Sequence, residues 1–372
     1  MTAEGHGAGG APLDLPSWQD VDVPGYGPGI EMLVDGMPLW FASRDTALVP
    51  GPEAATCILA YPCLVEGRPL RYPAAAPGDR FLDNVRSATA LMGNWWGHAP
   101  AGYAVPGPRP APRGPAGVPM PAGAALFFSG GIDSFYSLTR YPGIGALVFL
   151  RGFDVRLANG AAADRLGTAF QRIADDRGIP LLTVATNLRE HPTLGRLRWP
   201  RYHGSLLAAV AHLLRHRVAN FVISSSYPEG NLMPWGSHPE LDPLWGDDRL
   251  TIIHFGWDRS RAEKLVSMAG EELVHRELRV CYPAPTVDGN CGRCEKCVRT
   301  RLTYRLALPG TRCTAIPDAP PLPAAIDALA PLWPQTLLED YRQLLARAAG
   351  EDDVTRSLRA LIERSERKMQ LH

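Results

Sequence analysis

The sequence predicts an α/β protein built on a mostly parallel, doubly wound sheet of five strands. Two observations predict this class. Five short apolar runs alternate with helix-like stretches between residues 124 and 270, and the runs are continuously apolar, as strands covered on both faces are. The predicted strands are 124–128, 145–150, 180–185, 220–224 and 250–254, and the predicted helices are 132–140, 160–177, 202–217 and 259–270.

Changes in composition divide the rest of the chain into predicted segments. Residues 1–16 are Gly/Ala-rich, and we expect a disordered tip. Residues 17–97 predict an extra N-terminal α+β domain, because Asp35-Gly36 separates two apolar runs as in a hairpin and 81–97 has an amphipathic period. Residues 98–123 are too rich in proline for regular structure and predict a linker. The main domain is then 124–308, and 309–372 predicts a helical extension.

Composition narrows the class of protein. Lys+Arg and Asp+Glu number 38 each, so no bulk charge attracts nucleic acid or an anionic membrane, and RNA is not a favoured partner. No apolar run is long enough to span a membrane, and the first residues lack a signal-peptide pattern. Four of the seven cysteines crowd into 281–297, which favours a metal site in a reducing compartment. These features predict a cytoplasmic protein.

The segment Ser129–Ser134, with sequence SGGIDS, joins the first predicted strand to a helix. Such a turn directs backbone N–H groups outward at the positive end of the helix dipole, and two glycines allow close approach of an anion. It differs from the common P-loop because no Lys-Ser/Thr pair follows the glycines. A carboxylate repels a bound phosphate unless it holds a cation or points away from the site. Asp133 is therefore interpreted either as a Mg²⁺ ligand or as a residue turned away to cap the helix.

SGGxDS after a strand resembles the signature of the PP-loop ATP pyrophosphatases. The resemblance implies an adenine nucleotide alpha hydrolase-like fold, and an activity in which a substrate oxygen attacks the α-phosphate of ATP to give an adenylated intermediate and pyrophosphate. It also implies Mg²⁺ and a set of ATP-binding residues: Ser129, Gly130, Gly131, Ile132, Asp133 and Ser134.

The cysteines form a C-x9-C-x2-C-x2-C pattern of Cys281, Cys291, Cys294 and Cys297. Four thiolates at this spacing favour a structural Zn²⁺ ion, and an iron–sulfur cluster is the alternative. Cys57, Cys63 and Cys313 are interpreted as ordinary core or surface residues. Together with the glycine loop, the pattern over 124–308 resembles the 7-cyano-7-deazaguanine synthase family, although about 120 residues precede the loop here and the first cysteine gap is longer.

Further candidates come from single residues. Lys264 follows the fifth strand, where relatives carry a lysine, and is expected to neutralise the leaving pyrophosphate. Arg151 ends the second strand on the side where relatives hold adenosine, and Arg201 is a candidate anion-binding residue.

The loop 225–249 is unusually long for a connection, which predicts a functional segment. Within it His238 and Asp242 are candidates for general acid/base work or for substrate and metal contacts, and Trp235 and Trp245 for stacking on a flat substrate.

These observations predict an ATP-dependent, AMP- and pyrophosphate-forming ligase that adenylates a carboxylate or amide oxygen and lets ammonia or another nucleophile displace AMP. The substrate is expected to be a small molecule or a peptide carboxylate, with nitrogen supplied as ammonia or by an ammonia-donating partner. A homodimer is left open. Two alternatives also stay open: a tRNA-modifying PP-loop enzyme and a non-catalytic ATP-sensing module.

Overall fold

The structure, a computed structural model, describes residues 10–99, 102–104, 123–281 and 289–370. The chain folds as two compact units, each made of segments that are separated in sequence. The first takes its described residues from 1–128, 141–225 and 232–255, and the second from 129–140, 226–231 and 256–372. Residues 1–9 of the predicted tip and most of the predicted linker 98–123 lie outside the described residues.

The described residues of the first unit form a mixed sheet of eight strands. Its strands are β2 (Gln19–Val23), β3 (Gly27–Val34), β4 (Met37–Ala42), β7 (Ala124–Phe127), β8 (Ile144–Arg151), β9 (Leu181–Thr186), β10 (Asn220–Ser224) and β11 (Thr251–Phe255), and their order across the sheet is β11-β10-β7-β8-β9-β4-β3-β2. The five predicted strands are β7 to β11, which pair in parallel. All four residues of β7 are buried, as its continuous apolar sequence predicts.

The N-terminal strands extend this sheet, which corrects the prediction of an extra N-terminal domain. β3 and β4 form the predicted hairpin, and Asp35 and Gly36 at its tip both have positive φ, as a two-residue turn of this kind requires. β4 then pairs antiparallel with β9 through Phe41 and Ala42. The apolar face of the hairpin therefore belongs to the same core as the parallel strands, including Ile30, Phe41 and Val184.

A second, small sheet corrects the prediction that residues up to 16 are disordered. It consists of β1 (Leu13–Asp14), β5 (Leu70–Arg71) and β6 (Tyr103–Ala104), in the order β1-β5-β6. Backbone hydrogen bonds from Leu13 N to the Pro69 carbonyl and from Leu15 N to the Arg71 carbonyl, both 2.8 Å, hold the first strand. Gly/Ala-rich composition did not reveal these pairings because their partners lie some 57 positions away.

The described residues of the first unit form four helices: α1 (Pro52–Glu66), α2 (Asp79–Trp96), α4 (Gly160–Arg177) and α5 (His203–Leu214). α1 and α5 pack against each other, α5 lies against β10, and α4 lies against β8 and β9. The buried side chains of α1, α2 and α5 form one core with the sheet, in which Phe81, Trp245 and Tyr202 are among the largest members.

In the second unit the part of the chain that the structure describes forms seven helices: α3 (Ile132–Arg140), α6 (Arg261–Ser267), α7 (Glu272–Glu277), α8 (Glu295–Ala307), α9 (Leu322–Asp327), α10 (Gln335–Leu345) and α11 (Asp353–Gln370). α8 to α11 enclose a core of their own, with Leu302, Leu338 and Leu361 at its centre. Three of these helices, α9 to α11, lie in the described part of the predicted extension, residues 309–370. None of the helices that the structure describes is long and apolar enough to cross a membrane.

Candidate functional site

The SGGIDS segment has the local geometry expected of a strand-to-helix turn. β7 ends at Phe127 and α3 begins at Ile132, and between them Gly130 has φ of +72°, a conformation that favours glycine. Ser134 Oγ donates to the Gly131 carbonyl at 3.1 Å, and the Ser129 and Ser134 hydroxyl oxygens lie 3.4 Å apart. Arg279 N also donates to the Gly130 carbonyl at 2.8 Å. Contacts within the loop and a backbone hydrogen bond from Arg279 thus both hold the loop in this conformation.

Two cations from α6 hold the carboxylate of Asp133. Lys264 Nζ donates to Oδ1 at 2.9 Å, and Arg261 Nη2 donates to Oδ2 at 2.5 Å. The side chain of Lys264 is 1% exposed and that of Asp133 is 15% exposed. Burial by itself would raise the pKa of Asp133, but the positive charges of Arg261 and Lys264 outweigh it and hold this pKa well below its usual range.

The sequence around α6 explains how both cations reach one carboxylate. Arg261 and Lys264 are three residues apart and therefore lie on the same face of the helix. A capping box fixes the start of this helix: Ser260 Oγ accepts from Glu263 N, while the Glu263 carboxylate accepts from Ser260 N. Lys264 was predicted from the sequence, but Arg261 was not, although its spacing from Lys264 is a signal that could have found it.

The contacts of Asp133 do not fit its interpretation as a Mg²⁺ ligand. Both carboxylate oxygens already accept hydrogen bonds from cationic groups, and a metal ion would have to replace Arg261 or Lys264. A divalent cation beside these two positive charges would also be repelled by them. Asp133 instead orients the two cations beside the loop.

Four cysteines in the second unit lie close enough to bind a metal ion. The sulfur atoms of Cys281, Cys291, Cys294 and Cys297 all lie within 4.8 Å of one another. Cys281 and Cys294 are 3.8 Å apart, and Cys291 and Cys297 are 3.9 Å apart. A tetrahedral Zn²⁺ ion with bonds of about 2.3 Å separates its sulfur ligands by about 3.8 Å. The four thiols therefore fit a single ion such as zinc. An iron–sulfur cluster distributes its four thiolates over two or more irons, so sulfurs bound to different irons lie further apart.

Asn290, which the sequence did not reveal as part of this centre, connects the two halves of the cysteine pattern. Its Oδ1 accepts from the backbone N–H groups of Val280 and Cys281, at 2.8 and 3.0 Å. Its Nδ2 donates to the carbonyls of Leu278 and Ala315, at 2.7 and 2.8 Å. This buried amide thus uses its full hydrogen-bonding capacity to hold the segment that carries Cys281 beside the residue that precedes Cys291.

The other cysteines are buried or half-buried thiols outside this group. Burial raises the pKa of Cys57 well above its ordinary value, raises the pKa of Cys63 to about 12 and raises that of Cys313. A buried thiol with a raised pKa is a poor nucleophile at neutral pH. This agrees with their interpretation as ordinary packing residues.

In the first unit, the two predicted arginines have protein partners. Arg151 Nη2 donates to Asp164 Oδ1 at 2.6 Å, and its guanidinium lies 5.5 Å from the ring centre of Tyr26. The guanidinium of Arg201 lies 5.4 Å from the ring centre of Trp96 at the end of α2. Their predicted roles in binding adenosine and an anion remain predictions.

The predicted loop 225–249 contains two short 3₁₀ turns, Glu229–Asn231 and Asp242–Trp245. Trp245 is 0% exposed and its carbonyl accepts from His212 Nε2 at 2.8 Å, so the expectation that this ring stacks on a substrate is wrong. Trp235 lies edge-on to His203, with ring centres 5.9 Å apart. Asp242 is also fully buried, which excludes direct contact between its carboxylate and a solvent-borne substrate in this arrangement.

Asp242 and the missed residue His254 form a pair in the first unit. His254 lies near the end of β11, and its Nδ1 is 2.7 Å from Asp242 Oδ2. Ser237 Oγ donates to the same oxygen at 2.7 Å. His238, the other predicted acid/base candidate, accepts from Glu240 N through Nδ1 and packs its ring edge-on against Trp95. Burial lowers the pKa of His238.

Comparisons with known proteins identify no family for this chain. No family model matches it, and no curated protein matches it. A solved structure described as a type III CRISPR defence DNA nuclease activated by cyclic oligoadenylate aligns at 15% identity over 84% of this chain and 55% of that chain, with a TM-score of 0.22. The chain thus spans about half the length of that protein, and the TM-score is too low to support an argument about fold or function.

Proposed function

We propose that this chain is a PP-loop ATP pyrophosphatase that activates a substrate oxygen by adenylation. The observation that carries the proposal is the Ser129–Ser134 loop at the start of α3, with the cations of Lys264 and Arg261 on the carboxylate that the same loop supplies. Loop amides, serine hydroxyls and two fixed cations are the groups that bind a polyphosphate. The order of the parallel strands, with the first at the centre, supports the doubly wound fold that this class would require.

In the proposed reaction the chain contributes positioning and electrostatic stabilisation. Ser129, Ser134 and the loop backbone hold the β- and γ-phosphates of ATP, while a substrate carboxylate or amide oxygen attacks the α-phosphate. Negative charge then develops on the leaving pyrophosphate, and Lys264 and Arg261 stabilise it. Both cations are held before ATP binds, so little reorganisation is needed during the reaction. Ammonia or another nitrogen nucleophile displaces AMP from the adenylated substrate, which forms a C–N bond.

The test measures the products formed from ATP by the full-length protein. We expect AMP and pyrophosphate, and exchange of labelled pyrophosphate into ATP, when a panel of small-molecule and peptide carboxylates is supplied with ammonium. Lys264→Met should lower AMP formation by about 100-fold or more, the effect of losing one fixed donor to a developing charge. Lys368→Met, at an exposed position of α11, is the matched control and should not change the rate.

Other results would contradict the proposal. ADP and phosphate as products would indicate cleavage at the γ-phosphate and exclude adenylation. Binding of ATP without turnover across the panel would support the non-catalytic alternative. If the Lys264→Met protein has the melting temperature of the wild type and retains full AMP formation, Lys264 takes no part in the mechanism.

A further inference from the structure

A short segment of the second unit, residues 278–281, lies between the 129–134 loop and the cysteine centre. At one side Arg279 N donates to the Gly130 carbonyl at 2.8 Å. At the other side the sulfur of Cys281 belongs to the group of four that can hold a metal ion. The loop, the segment and the cysteines all belong to the second unit, so these contacts are made within one compact unit.

The hydrogen bond from Arg279 fixes the orientation of one peptide group in the loop. The peptide that joins Gly130 to Gly131 is flanked by two residues without a Cβ, so it could turn over at little steric cost. A trans peptide is planar, and its C=O and N–H groups point in opposite directions. Because the Gly130 carbonyl points at Arg279, the N–H group of Gly131 points away from it. That N–H is one of the backbone donors that the loop offers to an anion.

Burial and packing strengthen this constraint on the loop. Gly130 is buried, so a carbonyl left there without its hydrogen bond would be costly. Gly131 lies against the same segment, because a Cβ built on it would be 3.8 Å from the Arg279 carbonyl oxygen and 3.4 Å from Ser129 Oγ. The backbone of Arg279 thus contacts both glycines of the loop and favours one orientation of the peptide between them.

One side chain, that of Asn290, holds the backbone around Arg279. It is 3% exposed, and its Oδ1 accepts from the two N–H groups that follow Arg279, those of Val280 and Cys281. Its Nδ2 donates to the carbonyl that precedes Arg279, that of Leu278. The backbone on both sides of Arg279 is therefore fixed by one amide, which leaves the N–H of Arg279 directed at the loop.

Asn187 of the first unit makes similar hydrogen bonds with a structural result. Its Oδ1 accepts from Trp40 N at 3.0 Å, and its Nδ2 donates to the Pro38 carbonyl at 2.9 Å. These bonds join the residue after β9 to β4, and the two strands are already paired in the sheet. The bonds of Asn290 differ, because the backbone that they hold ends on a loop peptide at one side and on a candidate metal ligand at the other.

We propose that Asn290 is a positioning residue for the 129–134 loop and that it couples the cysteine centre to the binding of a polyphosphate there. The chain of hydrogen bonds is continuous: Asn290 joins Cys281 to the backbone around Arg279, and Arg279 N reaches the loop. Fixing the Cys281 thiolate in the metal centre therefore also restricts the loop peptide. The inference rests on the proposed function, because it assigns the loop a polyphosphate ligand.

The first experiment needs no nucleotide and uses the full-length, zinc-loaded protein. Asn290→Ala removes the amide but keeps the four cysteines. Hydrogen exchange of the Arg279 N–H should become about 10-fold faster or more, because the backbone that presents it to the loop is released. Zinc affinity, measured by competition with a chromophoric chelator, should fall about 10- to 100-fold, as for other residues that orient metal ligands. Asn187→Ala is the matched control and should leave both quantities unchanged.

The second experiment measures the affinity of the zinc-loaded protein for ATP with excess Mg²⁺, and for AMP, by calorimetry. Asn290→Ala should weaken ATP binding about 5- to 10-fold, the factor that corresponds to the net contribution of one hydrogen bond. AMP has no β- or γ-phosphate to place in the loop, so its affinity should be unchanged. Asn187→Ala should bind both nucleotides as the wild type does. A variant that is only less stable would lose affinity for both nucleotides or for neither.

The outcomes separate this inference from the proposed function. Absence of ATP binding in the wild-type protein would contradict the proposed function, and exchange of the Arg279 N–H would then decide whether Asn290 positions the loop. ATP binding that Asn290→Ala leaves unchanged, or unchanged exchange of the Arg279 N–H, would overturn the inference alone. If Asn290→Ala fails to fold, Asn290→Asp takes its place. Its carboxylate keeps the accepted hydrogen bonds and loses the donated ones, and changes in the same direction are expected.

Discussion

At the scale of single residues, Asp133 and Lys264 form an ion pair that the sequence did not predict. Spacing and strand position singled out both residues, and the sequence left Asp133 either as a Mg²⁺ ligand or as a residue turned away to cap the helix. In the structure two cations satisfy it, and burial of Lys264 at 1% exposure makes the pairing strong. The sequence could not reveal this because the partners are separated by 128 and 131 positions.

This pairing predicts a pH-dependent loss of stability in Asp133→Asn. Because the folded-state pKa of Asp133 is lowered, its charge contributes stability that is present above the unfolded-state pKa of about 4 and is lost as pH falls below that value. Urea unfolding at neutral pH should show the variant destabilised by about 3 kcal/mol, since a buried lysine loses its charged partner. The difference from wild type should narrow as pH falls below about 4, because the Asp133 carboxyl group of the unfolded wild-type chain then takes up a proton while that of the folded chain stays charged.

Asp164→Asn is the control for this measurement. Asp164 also pairs with an arginine, but its side chain is 69% exposed, and an exposed pair contributes under about 1 kcal/mol. A larger loss of stability in Asp164→Asn than in Asp133→Asn at neutral pH would show that burial does not decide the strength of these ion pairs.

At the scale of elements, the sequence located the parallel strands and most of the helices that follow them. It missed α1, in which twelve of fifteen residues are buried. Such a helix has no polar face, so its sequence lacks the alternation of apolar and polar residues that identifies an amphipathic helix. Pro62 within it also suggests the end of a helix. The burial that stabilises α1 comes from α5 and the sheet, and local sequence does not report it.

Two glycines in helices of the first unit should respond in opposite ways to alanine. Gly204→Ala should destabilise the protein by about 1–3 kcal/mol, because the new methyl group meets the Gly236 carbonyl and Asp242 in a close-packed region. Gly167→Ala in α4 should stabilise it by about 0.5–1 kcal/mol, since alanine is the better helix former and its Cβ would make only an ordinary contact, 3.9 Å from Phe149. Chemical unfolding of both variants checks the pair. Equal effects would contradict the close contacts of Gly204 with the Gly236 carbonyl and the Asp242 carboxylate.

At the scale of the whole molecule, the sheet, the second unit and the cysteine centre are each formed by segments that are far apart in sequence. Strands from residues 19–42 extend the sheet of the first unit, and the second unit gathers three separate stretches of chain. The cysteine centre likewise joins Cys281 to cysteines at the start of α8. A bound metal ion is therefore expected to stabilise the second unit, because the unfolded chain does not preform the site.

Metal analysis and thermal unfolding test this expectation. The purified protein should be colourless and hold one zinc ion per chain, and removal of the ion by a strong chelator should lower the melting temperature. Cys294→Ser should lose the ion, whereas Cys313→Ser should keep it, since Cys313 is outside the group of four. Visible absorption together with iron and acid-labile sulfide would establish the cluster instead.

The sequence by itself determined the elements whose signals are local. Continuous apolar runs predicted β7 to β11, Asp35-Gly36 predicted the hairpin, and the cysteine spacing predicted a metal centre. These signals are local because side-chain period, turn conformation and ligand spacing are properties of short stretches of chain.

Only the tertiary structure decided how these elements combine. It joined the hairpin to β9, buried Trp245, placed Arg261 on Asp133 and brought His254 to Asp242. Each of these depends on residues far apart in sequence, and the free energy that fixes them comes from burial and from pairing buried charges. His254, which the sequence did not distinguish from other strand residues, thereby acquires a buried carboxylate partner.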